Sequence, residues 1–189
     1  MGTRSAGVCI WFTGQSGGGK STITQALVPR LEEMGLTVSV LDVVPLLRKR
    51  WWEASSEGKL LRKAYVASHI VHHGGVAIAV TVSARPSVRE QARRLVGEDH
   101  FLEVKVAPPP EVAAQRKAAR GRRPRLSKVL KRLIRGTLNR LRRAGTAQDE
   151  IAARPPDLEL DTSIVAPGDA VERIVALLDE RHLLPSRRV

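Results

Sequence analysis

The chain holds a single cysteine, Cys9, in 189 residues. A lone thiol excludes a disulfide framework and cannot build a thiolate metal centre. Cys9 lies in an apolar run, so it reads as a small buried side chain, and a reducing compartment is expected. Aromatic residues make up only 3% of the sequence. Against that scarcity the pair Trp51-Trp52 stands out. It suits stacking on a base or ring, and equally a plug at a sheet edge. No apolar run approaches the roughly 20 residues that a membrane span requires. Seven residues precede the first strand-like run, and Ala6 stands where a myristoylation signal needs Ser or Thr. A soluble, cytoplasmic protein without membrane contact is the expectation.

Acids are missing from one stretch. From Arg116 to Arg143 there are thirteen Lys and Arg side chains and no Asp or Glu, which equals the whole formal net charge of +13. The rest of the chain is close to neutral. Within the stretch, Leu126, Leu130, Leu133, Ile134, Leu138 and Leu141 form an apolar stripe, and Gly136 interrupts it. The segment fits a cationic lid over bound phosphates, a nucleic-acid surface, or a solvated helical face. The lid, about residues 116–145, is the favoured reading. Nucleic acid is then expected only as a non-specific partner. With 42% hydrophobic and 27% charged residues the chain should fold as a single globular domain over residues 1–189.

What is present in full is a phosphate-binding loop. Gly14-Gln15-Ser16-Gly17-Gly18-Gly19-Lys20-Ser21 matches G-x-x-x-x-G-K-[ST] at every position. Val8 to Phe12 reads as a buried strand entering it, and Thr22 to Met34 as a helix leaving it. Glycines let the backbone turn with positive φ and bring N–H groups close to phosphate oxygens. The helix start adds a partial positive charge. Lys20 is expected to reach the β and γ phosphates, and Ser21 to hold Mg²⁺. ATP and Mg²⁺ are therefore the expected cofactors, bound by Gly14 to Ser21 with Thr22 beside them.

Further strands are expected at Thr37–Leu41, Val76–Val82, Phe101–Val106 and Leu158–Leu160. Helices are expected at Gly58–His73, Pro86–Val96, from Pro110 toward Arg116, and through Val171–Leu178. Gly35 and Gly74-Gly75 read as helix stops. This alternation predicts an α/β fold: three layers, an open parallel sheet of five strands with helices on both faces, and a basic helical lid. Ligands of such sheets bind beyond the carboxyl ends of the strands. Asp42, ending the second strand, is the candidate acid for Mg²⁺ or for the acceptor hydroxyl's proton. His69, His72 and His73 share a helix face; a polar helix end fits them better than a metal site.

The residues also carry a resemblance. Ile10-Trp11-Phe12-Thr13 joined to the loop and Thr22 closely resembles the opening of the adenylylsulfate kinases. The likeness continues through Leu41-Asp42, Gly75-Val76, Ala92-Arg93-Arg94-Leu95-Val96-Gly97, Phe101-Leu102-Glu103-Val104, Pro110-Glu111-Val112, Arg116 and Leu160-Asp161-Thr162. It implies a P-loop kinase of sulfate assimilation that moves the ATP γ-phosphoryl to the 3′-hydroxyl of adenosine 5′-phosphosulfate. Lys20 and Asp42 would then be catalytic, Arg116 would contact the nucleotide, and Arg62 and Arg85 the acceptor. The family ends its second strand Asp-Gly-Asp-Asn, whereas here Asp42 is followed by Val43-Val44-Pro45. Its Asn-Ile-Arg-Arg faces Leu60-Leu61-Arg62-Lys63, and its Ser-Pro-Tyr-Arg faces Ser83-Ala84-Arg85-Pro86. Conserved ATP features beside an altered acceptor side leave two alternatives: a different small hydroxyl acceptor, or a catalytically weak ATP-binding regulator. A homodimer is an open expectation.

Overall fold

The computed structural model describes residues 7–41, 56–82, 85–120 and 154–184. Asp42, Trp51-Trp52, Ser83-Ala84 and the basic stretch beyond Arg120 lie outside them. The elements run β1 (Val8–Thr13), α1 (Lys20–Glu33), β2 (Val38–Val40), α2 (Ser56–His72), β3 (Val76–Val80), α3 (Pro86–Val96), β4 (Phe101–Val106), α4 (Pro110–Arg120), β5 (Leu158–Leu160) and α5 (Pro167–Glu180). All five strands are parallel, in the order β2-β3-β1-β4-β5. The expected α/β fold is present. The second and third strands are shorter than the sequence suggests, and α1, α2 and α5 are slightly longer.

The central position of β1 explains its composition. Each of its residues is buried, so both faces must be apolar or internally paired. Val8, Ile10 and Phe12 face one layer, where Ile23, Leu27 and Leu31 of α1 meet Val171, Ile174 and Leu178 of α5. Cys9 and Trp11 face the other, with Ala64, Ala67 and Val71 of α2 and Ala92 and Val96 of α3. The spacing of those helical residues, three or four apart, gives each helix one apolar stripe for the sheet.

Helix ends are fixed by hydrogen bonds that the sequence anticipates. At the end of α1 the Gly35 N–H donates to Glu32 O (2.8 Å) and the Leu36 N–H to Leu31 O (3.1 Å). At the end of α2 the same pair of bonds runs from Gly74 to Val71 O and from Gly75 to Ile70 O, each 2.9 Å. These are Schellman closures, and they return the chain directly into β2 and β3. The first three strands thereby deliver their carboxyl ends to one edge of the molecule.

Candidate active site

The phosphate loop links β1 to α1 and is walled in by elements distant in sequence. Gly17 has φ 90° and Gly19 φ 100°, a region that side chains other than glycine rarely adopt. Space forbids a side chain as well: a Cβ on Gly17 would run into the Ala113 carbonyl of α4. A Cβ on Gly19 would press on the Thr162 side chain at 3.3 Å. The Gln15 amide donates to Pro108 O (3.3 Å), fastening the loop to the turn after β4.

Lys20 is folded under the loop and only 6% exposed. Its ammonium donates to the carbonyls of Gly14 (2.7 Å) and Gln15 (2.9 Å). No side chain caps α1, whose N-cap is Gly19. No side chain therefore competes with an anion at the start of that helix, where the Thr22 N–H donates to Gly19 O at 3.0 Å. Ser21 and Thr22 are exposed on its first turn. Beside Ser21 is a cavity of about 350 Å³, lined by Thr24, Gln25, Val28, Pro29, Val40 and Val80. The buried Thr24 hydroxyl on its wall makes no hydrogen bond.

A second wall comes from Arg116 and Thr162. Thr162 follows β5, and its hydroxyl donates to Gly18 O (2.7 Å). The Arg116 guanidinium donates to the same hydroxyl oxygen (2.9 Å) and to Thr162 O (3.0 Å). Arg116 is thus placed beside the loop through Thr162. Arg85 precedes α3 and is ion-paired with Glu57 (3.1 Å). Arg62 is exposed on α2. Its neighbour Lys63 is the cation turned toward the strand ends, donating to Val80 O at 2.7 Å. Sequence reasoning passed over Lys63. The spacing of the half-buried Leu60 with the buried Ala64 and Ala67 was the available signal, since Lys63 borders that stripe.

Beneath the loop runs a buried charged network. Thr13, the residue before Gly14, donates to Glu103 (3.4 Å). Glu103 pairs with Arg89 (2.8 Å) and Arg93 (3.7 Å), and Arg93 pairs with Asp157 (3.1 Å). Asp157 also accepts from the Glu103 N–H (2.7 Å) and from Arg181. Burial pushes the Glu103 carboxyl above its ordinary range, and the two arginines only partly offset that. Burial opposes ionisation of Asp157 too, but the Glu103 N–H, the Arg181 bond and the Arg93 charge outweigh it and hold its pKa low. Burial also drives the Cys9 thiol far above its usual value. Among the described residues no group of three or more His, Cys, Asp or Glu side chains gathers as a metal site. The exposed Ser21 hydroxyl is a hard oxygen donor, which suits a cation held mostly by phosphate and water.

The model of the adenylylsulphate kinase family matches residues 6–122. The chain belongs to the adenylylsulphate kinase family. An adenylyl-sulfate kinase of Paraburkholderia xenovorans is 32% identical over 97% of this chain and 96% of that protein. One from Bacteroides fragilis is 31% identical over 93% of this chain and 84% of its own length. Among solved structures, the APS kinase of Mycobacterium tuberculosis in complex with AMPPNP and APS superposes with TM-score 0.60 at 24% identity, over 92% of this chain and 98% of that one. A hexameric APS kinase from Thiobacillus denitrificans gives TM-score 0.62 at 25% identity, over 96% of this chain and 30% of that longer one. As an adenylylsulphate kinase family member the chain is an ATP-dependent phosphotransferase with a P-loop kinase fold. Among its described residues no helix is long and apolar enough to cross a membrane.

Proposed function

We propose that this kinase, acting as one domain, transfers the γ-phosphoryl of Mg²⁺-ATP to the 3′-hydroxyl of adenosine 5′-phosphosulfate. The observation that carries the reading is the assembled loop itself. Lys20 is buried at its floor, the uncapped start of α1 opens onto it, and α4 and Thr162 close its far side. The relatives named adenylyl-sulfate kinase, matched over most of the chain, support the choice of acceptor.

In this reading the loop N–H groups and Lys20 hold the phosphates in line with the acceptor and neutralise charge that builds on the transferred group. Ser21 and Asp42 would hold Mg²⁺, which supplies Lewis acidity at the phosphate oxygens. Asp42 accepts or orients the acceptor's hydroxyl proton. Arg116 contacts the nucleotide, and Arg62 and Arg85 serve the acceptor side, with Lys63 beside them. A cytoplasmic location and a homodimer complete the reading; light scattering tests the latter.

The apolar Val43-Val44-Pro45 that follows Asp42 favours a second reading, a different small hydroxyl acceptor. A hydrogen-bonding site discriminates strongly because unpaired polar groups are costly. A phosphoryl-transfer assay over a panel of hydroxyl acceptors separates the two. Saturable 3′-phosphorylation of adenosine 5′-phosphosulfate, faster than that of any other panel member, supports the proposal. ATP turnover with another acceptor alone refutes it.

A further inference from the structure

We infer that Thr162 is a positioning residue that locks the Gly18–Gly19 peptide in the orientation needed to bind the β-phosphate, with Arg116 setting the direction of its hydroxyl. The inference rests on the nucleotide reading above and adds a residue that does not itself touch the phosphate.

A threonine hydroxyl has one proton and two lone pairs. Here the oxygen sits between two groups, Arg116 Nη1 at 2.9 Å and Gly18 O at 2.7 Å. A guanidinium can only donate. Arg116 therefore takes a lone pair, and the single hydroxyl proton is directed to the Gly18 carbonyl. The second arm of the same guanidinium holds Thr162 O at 3.0 Å, which fixes the backbone as well as the side chain.

A peptide unit is planar and trans, so its C=O and N–H point in opposite directions. Drawing the Gly18 carbonyl toward Thr162 aims the Gly19 N–H away from Thr162, to the concave side of the loop. Without that bond the orientation would be poorly determined. Both flanking residues are glycines, and no Cβ resists rotation of the peptide between them. A flipped peptide would present a carbonyl oxygen to the phosphate in place of a donor.

The anchor itself is stiff. Asp161 accepts from both the Ser163 N–H (2.8 Å) and the Ser163 hydroxyl (2.6 Å), and its carbonyl accepts from Val165 N–H (2.9 Å). These bonds make a tight turn directly after β5, and the Leu160 carbonyl is tied to the Ala107 N–H at 2.9 Å. Thr162 is thus set by the sheet and the loop peptide is set by Thr162.

The test is equilibrium binding by calorimetry on the full chain, with Mg²⁺-ADP and AMP as probes. Thr162→Ala and Thr162→Ser both lose the methyl group, and only Thr162→Ser keeps the hydroxyl. Thr162→Ala should weaken Mg²⁺-ADP about tenfold and leave AMP within about twofold, because AMP places no β-phosphate on the loop. Thr162→Ser should stay within about twofold of wild type for both. Thr162→Val, which keeps the volume, should behave as Thr162→Ala does and replaces it should that variant melt before the assay temperature. Equal weakening of AMP and ADP would make Thr162 a direct nucleotide contact and overturn the lock. So would Thr162→Ser binding no better than Thr162→Ala. Wild-type protein that binds neither nucleotide defeats the nucleotide reading itself. Wild type that binds alongside an unaffected Thr162→Ala defeats only the lock.

Discussion

Replacing Lys20 by Met keeps the aliphatic stem and deletes the ammonium. Two effects follow, and their sizes separate them. The ammonium bonds two loop carbonyls, Gly14 O at 2.7 Å and Gln15 O at 2.9 Å. Those carbonyls lie on half-buried residues that water can reach. Their loss of a donor should cost about 1 kcal/mol of stability, or about 2–4 °C in melting temperature for a domain of this size. The effect on rate is larger. The side chain is 6% exposed, so its charge acts on the phosphates with little solvent between. Removing a preorganised donor from a developing oxyanion costs about 3–4 kcal/mol, on the order of 10²–10³ in rate. Steady-state kinetics at saturating acceptor, together with a thermal melt, measures both. A Lys20→Met enzyme within threefold of wild-type kcat would refute the argument. So would a loss of activity that tracks the melt.

Asp42→Asn should lower kcat by at least tenfold while the calorimetric affinity for Mg²⁺-ATP stays within about twofold; full activity would leave Asp42 a structural acid. Gly17→Ala should weaken ATP binding more than it shifts the melting temperature, since a Cβ there meets the Ala113 carbonyl at φ 90° and displaces the loop; unchanged ATP affinity contradicts the wall. Asp157→Asn should destabilise the fold by about 3 kcal/mol at neutral pH, because it weakens the hold on the buried Arg93. The sign with pH follows from the depressed Asp157 pKa: its stabilisation is present above the unfolded value near 3.9 and is lost as pH falls through the folded value. Glu103 acts oppositely, because its raised pKa gives stability that is present in acid and lost as pH rises through the folded value. Urea titrations from pH 2 to pH 7 should show the wild-type and Asp157→Asn curves converging below about pH 4; a gap of constant size argues against the assignment.

Elements set by local rules were legible in the chain. β1 is an apolar run, and β4 and β5 set apolar residues around the charged Glu103, Lys105 and Glu159. Gly35 and Gly74 stop helices as short-range hydrogen bonding requires, and the loop motif lies where the strand–helix pattern puts it. What escaped depends on distance along the chain. Thr162 meets Gly18 across 144 residues, and Arg93 meets Asp157 across 64. Read singly, Arg93, Glu103 and Asp157 look like ordinary surface charges. Only the sheet order places β4 between β1 and β5 and forces them together. Lys63 and Arg62 differ by one step on a helix, and the sequence alone did not say which would turn inward.

Cys9 has a practical consequence. It is the only thiol in the chain, it is completely buried, and its deprotonation is strongly opposed by burial. Thiolates, not thiols, react with maleimides and iodoacetamides. The native protein should therefore be blank toward these reagents while folded. One cysteine introduced at an exposed position, such as Arg173 on α5, would take a fluorophore or spin label at that place alone. No background cysteine would need removing, and β1 could keep its native packing. Slow uptake of a second label would then time the opening of the central strand.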